Sequence, residues 1–301
     1  MTEAFTLISA IGTPLTDDGE RLHVAGLEAQ IHDQWSGGMT GLLVGGTMGM
    51  MQLLADETYE DLVDHSIRLG RGRGEVLVGV GDAGLTRTLA RVRLLNDKKA
   101  DGVVALAPYF LKFGQAELVD YYTAIAEASR HPLYLYDLPV LTGTKLSLET
   151  VATLAGHRNI RGIKCSCDFT WTRQLIDLDL PDFRVIVAQA EMIDVLFRAG
   201  VRSHLDGIFA AAPHWVGDIA RAATRGDWDS AADAQRKLIA LLKVVRDRGV
   251  MPAFTVMMNA RGIPGNFAPR PHRPLDARAA AAVLAEPIVQ ELLAAVPAAA
   301  R

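Results

Sequence analysis

Short, nearly continuous apolar runs recur along the chain, separated by stretches whose apolar residues fall at helical spacing. The runs lie at 7–11, 41–44, 76–80, 103–106, 133–136, 162–164, 185–187 and 207–209. They lack the alternation of a strand with one wet face, which predicts parallel strands covered on both sides. Their spacing, about 20–35 residues, is that of a βα unit. Between them, Val119, Tyr122, Ile125 and Ala126 share one helical face, and 85–95 and 148–154 repeat the pattern. Ser147 caps the start of one predicted helix, Asp56 opens another, and Pro213 marks a first turn.

Eight strand–helix alternations predict the α/β class and, within it, a (β/α)8 TIM barrel. A doubly wound sheet would place a glycine-rich turn after its first strand, and Gly12-Thr13-Pro14 is no dinucleotide fingerprint. The 301 residues divide into an expected catalytic barrel over 1–224 and a helical extension over 225–301 packed on it. In the extension, helices are expected over 229–245 and 275–295, with Pro264, Pro269, Pro271 and Pro274 breaking regular structure between them.

Composition removes several classes. Hydrophobic residues make up 50% and charged residues 22%, with a net charge of −4 and no dense basic stripe, which argues against a nucleic-acid partner. No run approaches the roughly 20 apolar residues of a membrane span. The first residues lack the basic start and apolar core of a signal peptide, so a cytoplasmic protein is expected. Cys165 and Cys167 flank a single residue on a predicted strand, where a mutual disulfide is geometrically awkward. Two thiols make an incomplete metal set, and the eight histidines form no H-x-H or H-E-x-x-H pair, so no metal is expected.

A barrel carries its chemistry at the C-terminal ends of its strands. The second run ends in Gly45-Gly46-Thr47-Met48-Gly49, a loop that exposes amides and one hydroxyl to an anion such as a carboxylate, or is simply a tight turn. The fifth ends in Tyr134-Leu135-Tyr136-Asp137, with both tyrosines on one face, placed either to shuttle a proton or to pack the barrel. The sixth holds Lys164 mid-strand among apolar residues, where desolvation favours the neutral, nucleophilic amine; a snorkelling strand-end lysine is the alternative. Ser166 shares the face of Lys164, while both cysteines face the helices.

Taken together, Gly46-Thr47-Met48-Gly49, Pro108-Tyr109, Tyr136-Asp137-Leu138-Pro139 with Thr142-Gly143, and Gly162-Ile163-Lys164 resemble the dihydrodipicolinate synthase/N-acetylneuraminate lyase superfamily in order and spacing. Gly12-Thr13-Pro14 and Asp206-Gly207-Ile208 also fit, so the resemblance spans essentially the whole chain. It implies a Schiff-base lyase acting on pyruvate or a related 2-keto acid, with no cofactor, usually as a homotetramer. Lys164 is the implied imine former, Tyr136 the implied proton shuttle, and Thr47 with the Met48 amide the implied carboxylate holder. Gly46, Met48, Phe110, Leu141, Ser166, Ala188 and Ile208 are the implied substrate contacts.

Departures from the family pattern narrow the substrate. Met48 and Met50 stand where a second hydroxyl residue and a glutamate are common, and Phe110 stands where synthase members carry a relay tyrosine that reaches a neighbouring subunit. Ala188-Gln189-Ala190 replaces a glycine followed by polar residues. Leu141 replaces an arginine for the aldehyde partner's carboxylate, which disfavours aspartate semialdehyde because that carboxylate would be buried unpaired. The expectation is therefore an aldolase of a 2-keto-3-deoxy sugar acid or a related 2-keto acid; the Met48, Met50, Phe110 and Leu141 substitutions equally fit a less polar aldehyde partner. A dehydratase of the same substrates, a synthase-like condensation and an inert sensor or scaffold barrel are the alternatives.

Overall fold

Eight short strands pair in parallel, each with the next and the last with the first, to close a barrel in the computed structural model, which describes residues 4–295. They are β1 (Thr6–Ala10), β2 (Gly41–Val44), β3 (Glu75–Gly79), β4 (Gly102–Leu106), β5 (Leu133–Asp137), β6 (Ile160–Cys165), β7 (Arg184–Val187) and β8 (Ser203–Asp206). The continuous apolar pattern has a direct cause. Ile8, Leu43, Leu77, Val104, Tyr134 and Leu205 fill the lumen, while their neighbours Leu42, Val76, Val103, Leu133 and Ile163 pack against helices. Both faces of the sheet are covered along most of each strand, as parallel sheets require, with Arg161 of β6 exposed near the N-terminal end. At the N-terminal end Arg184 reaches Glu75 from β7 to β3, with its Nη1 at 3.0 and 2.9 Å from the two carboxylate oxygens.

The first seven runs match strands to within a residue or two, but the eighth does not. Residues 207–209 lie past the strand, at a 3-10 turn over Ile208–Ala210, and the strand itself is Ser203-His204-Leu205-Asp206. Its polar lettering hides a buried segment: Ser203, His204 and Leu205 are all buried.

Helices α1 (Val24–Ser36), α2 (Asp56–Gly70), α3 (Leu85–Leu95), α4 (Gln115–Ala128), α5 (Pro139–Thr142), α6 (Leu148–Ala155), α7 (Phe169–Asp177), α8 (Ile193–Arg198) and α9 (Pro213–Thr224) surround the barrel. Ser147 caps α6 as expected, its Oγ accepting the Thr150 N–H at 3.1 Å. Asp56 opens α2, and Pro213 begins α9. Beyond them run α10 (Trp228–Arg248), α11 (Val250–Ala260), α12 (Ala277–Leu284) and α13 (Pro287–Ala295). The single helix expected over 275–295 is two, separated just before Pro287, whose ring cannot continue a helix from the preceding turn. Helix α11 has no counterpart in the sequence reading. Its letters are apolar almost all round, so no amphipathic period announces it. This region is tied to the barrel mouth. Phe254 and Phe267 meet edge to face at 5.2 Å over Gly12, where an added Cβ would come within 2.8 Å of the Phe267 ring. Among the described residues, no helix is long and apolar enough to cross a membrane.

Candidate active site

Lys164 is the fifth of six residues in β6, nearer the strand end than its predicted mid-strand place, and its side chain is buried inside the barrel. Its Cα lies level with Tyr136 on β5 and Ile186 on β7. Alternation along adjacent parallel strands therefore points Lys164 and Tyr136 into the same lumen. The Lys164 Nζ stands 3.6 Å from the centroid of the Tyr136 ring. From the loop after β2, Thr47 Oγ1 donates to the Tyr136 hydroxyl at 3.4 Å. Two strand residues and one from the loop after β2 thus meet at the C-terminal mouth.

The loop carrying Thr47 is tightly built. Gly45 has φ 59°, a left-handed conformation that glycine adopts without strain. A Cβ on Gly46 would come within 2.9 Å of Leu43, and Thr13 Oγ1 pins the Gly49 carbonyl at 2.6 Å. The loop leads into a single 3-10 turn, Met51–Leu53, and α2 begins only at Asp56. Any anion binding here rests on loop amides and the Thr47 hydroxyl, not on an α-helix terminus. Among the described residues, no backbone acceptor meets the Thr47 or Met48 amide. Met48 lies against Gly207, where a Cβ would sit 3.1 Å from its sulfur, so the loop abuts the turn that holds Ile208.

Ser166 and Ala188 sit half-buried just past β6 and β7. The Ser166 N–H donates to the Asp137 carbonyl at 3.0 Å, and the Ala188 N–H to the Cys165 carbonyl at 2.8 Å. Beside Thr47 opens a cavity of about 250 Å3 lined by Thr47, Met50, Gln52, Leu106, Tyr109 and Leu141. Phe110 is outside it, 93% exposed, with φ 81°. Met50 is also left-handed, φ 51°. Two strained non-glycine residues therefore flank one mouth, a placement typical of functional loops.

Five residues of this region were missed as site residues. Gln52 lines the cavity, and nothing in its sequence context marks it. Tyr109 appeared only as part of a motif. Its hydroxyl donates to Asp82 Oδ1 at 3.4 Å, and Arg91 and Arg87 approach Asp82 at 2.9 and 3.1 Å. Burial opposes ionisation of Asp82, but the Ala83 N–H and both guanidiniums hold its carboxyl below the usual range. Asp206, at the end of β8, is pushed up by burial, against the Ile208 N–H at 3.1 Å and the charge of Lys164. Asp137 is fully buried and likewise pushed up by burial, although it accepts the Leu146 N–H at 3.2 Å and the Cys167 thiol at 2.8 Å. Both cysteines are free and buried, so Cys167 serves as a donor to Asp137. Among the described residues, no three His, Cys, Asp or Glu side chains come together as a metal site.

A closed parallel barrel with a lysine, a tyrosine and a threonine converging at its C-terminal mouth defines the class: an α/β barrel with its reactive groups on strand ends. Within it, a model of the dihydrodipicolinate synthetase family matches residues 4–286, and the chain belongs to that family, whose members are enzymes. The 4-hydroxy-tetrahydrodipicolinate synthase of Exiguobacterium sibiricum is 31% identical over 239 residues, 79% of this chain and 81% of that one. The Methanothermobacter thermautotrophicus protein of the same name is 29% identical over 85% of this chain and 93% of its own. Among solved structures, YagE of Escherichia coli K12, a prophage protein crystallised with pyruvate, superposes with a TM-score of 0.87 at 25% identity, covering 96% of this chain and 98% of that one. CdNal of Clostridium difficile, crystallised with mannosamine, gives 0.88 at 18% identity over 98% of this chain and 100% of that one, and so shows the fold alone.

Proposed function

We propose that this protein is a Schiff-base lyase that makes or breaks a C–C bond between pyruvate and an aldehyde, acting on a 2-keto-3-deoxy sugar acid. The observation that carries this reading is the Lys164–Tyr136–Thr47 cluster, with Nζ 3.6 Å from the tyrosine ring and the two hydroxyls 3.4 Å apart. Lys164 adds to the C2 carbonyl and expels water to give the imine. The protonated imine nitrogen draws electrons from the C3–C4 bond. Tyr136 takes the C4 hydroxyl proton, the aldehyde leaves, and the enamine is protonated at C3 and hydrolysed to pyruvate. Thr47 and the Met48 amide hold the carboxylate, with Gly46, Ser166, Ala188 and Ile208 around them.

The aldehyde partner is read from the adjoining cavity. Its lining offers Thr47, Gln52 and the Tyr109 hydroxyl, flanked by Met50, Leu106 and Leu141, and includes no Lys or Arg. That lining suits a neutral, hydroxylated aldehyde better than aspartate semialdehyde, whose carboxylate would lack a partner. Residues 1–224 carry the chemistry in this reading, the helical extension after residue 224 packs on the barrel, and the protein works as a cytoplasmic homotetramer in which Phe110 reaches a neighbour's site.

Borohydride reduction with pyruvate tests the proposal. The parent and Tyr136→Phe are expected to gain a covalent adduct on Lys164 and Lys164→Ala none, by mass spectrometry. Turnover of 2-keto-3-deoxygluconate to pyruvate is expected to fall about 100-fold or more in Tyr136→Phe. Absence of the adduct in the parent overturns the Schiff-base reading, and exclusive dehydration of the sugar acid overturns the C–C lyase assignment.

A further inference from the structure

At the pole opposite Lys164, the N-terminal ends of β8, β1 and β2 leave a second cavity, of about 480 Å3. Its walls come from the start of β1, the ends of α8 and α9, and Trp228 at the start of α10. Small residues make the space, among them Gly38 and Gly217. A Cβ on Gly217 would come within 2.8 Å of an Arg221 side-chain nitrogen. The volume lies within the range of small-molecule sites.

The charge lining it is one-sided. Arg198, Arg202 and Arg221 face the cavity and no Asp or Glu does, in a chain whose net charge is −4. The Arg202 guanidinium sits 4.9 Å from the Phe5 ring centroid and that of Arg198 5.7 Å from the Trp228 ring. A ring face steadies a guanidinium without occupying its N–H groups. Arg202 donates from Nη1 to the carbonyls of Phe197 and Val201 at 3.3 and 3.5 Å, which closes the end of α8 and leaves its other nitrogens available. Arg221 pairs with Asp218 at 2.6 Å. Among the described residues, neither Arg198 nor Arg202 meets a carboxylate. Capping accounts for one nitrogen of Arg202 and for nothing in Arg198.

We propose that this cavity is a second ligand site, remote from the barrel mouth, for a small phosphate monoester with a compact apolar or aromatic body. Guanidinium forks match the oxygens of such a head group, and Phe5, Leu7, Phe197 and Trp228 receive the body. The proposal is independent of the function assigned to Lys164.

The test is calorimetric titration of the full-length chain with phenyl phosphate and, separately, benzoate. Phenyl phosphate is expected to bind saturably at one site and more tightly than benzoate. Arg198→Glu and Thr224→Glu change exposed positions on the rim, and each is expected to weaken binding about 10-fold or more while circular dichroism and turnover stay unchanged. Lys164→Ala is expected to leave the titration as it is. No saturable binding, binding that survives both rim substitutions, loss of binding with Lys164→Ala, or a preference for benzoate would each overturn the proposal.

Discussion

Lys164, Tyr136 and Thr47 were legible from sequence because each breaks a local rule: a lysine in an apolar run, paired tyrosines at a strand end, a hydroxyl within a glycine loop. Asp137 and Asp206 were not, since a carboxylate at a strand end reads as the start of a loop, and only closure of the barrel buries it. His204 was hidden for the converse reason. It is 1% exposed, neither ring nitrogen has a hydrogen-bond partner among the described residues, and its ring meets Phe197 edge to face at 5.0 Å. Burial pushes its pKa down from 6.5 to about 3. In the fold it stays neutral where the unfolded chain takes up a proton. Its contribution is therefore complete above pH 6.5 and is lost as pH falls from 6.5 toward 3. His204→Leu removes this dependence. Urea denaturation at several pH values is expected to show the parent losing up to about 1.4 kcal/mol per pH unit more than the variant over that window. The comparison isolates His204 from Asp137 and Asp206, whose raised carboxyls act with the opposite sign. Equal slopes in parent and variant would remove the argument.

Elements were read well where periodicity was clean and poorly where the lettering carried no period. β8 and α11 escaped for that reason, one lettered as polar, the other apolar all round. Close backbone approaches were also invisible from sequence. Gly79, the last residue of β3, faces the loop after β2, and a Cβ there would lie 2.2 Å from the Gly45 carbonyl oxygen. Neither partner is a flexible side chain, so the backbone itself must shift. Gly45 leads directly into Thr47, which links this packing constraint to the candidate site. Gly79→Ala is expected to destabilise by about 3 kcal/mol or more and to lower the rate of pyruvate adduct formation. Gly84→Ala is the control. Gly84 has φ −158° at the N-cap of α3 and nothing within 4 Å of an added Cβ, so it is expected to change stability by less than about 1 kcal/mol. Thermal denaturation of the two variants separates them, and equal melting temperatures would contradict the assignment of a backbone collision to Gly79.

For the whole molecule, eight regular repeats made the barrel legible, whereas surfaces assembled from distant segments were not. The cavity at the pole opposite Lys164 draws on β1, α8, α9 and α10, and no stretch of sequence announces it. The mouth presents a second such surface. Phe110 and Leu111 follow β4, Val140 and Leu141 follow β5, and the four are 93%, 61%, 81% and 59% exposed. These strands are neighbours, so the two loops lie side by side at the end that holds Lys164. Large apolar side chains gathered on exposed loops are characteristic of an interface. The left-handed backbone of Phe110 gives the same answer, because φ 81° holds an aromatic ring outward at a cost that its own chain does not recover by burial. A second copy of the chain would cover these side chains and place Phe110 against a neighbouring mouth. Light scattering is expected to give the parent a mass several times 32.5 kDa, and the double substitution Phe110→Asp with Leu111→Asp a smaller assembly with slower turnover. Adduct formation at Lys164 should persist in that variant, since no group of the imine-forming cluster changes. A parent that runs at 32.5 kDa would exclude the homotetramer and with it any contribution of Phe110 to a neighbour's site.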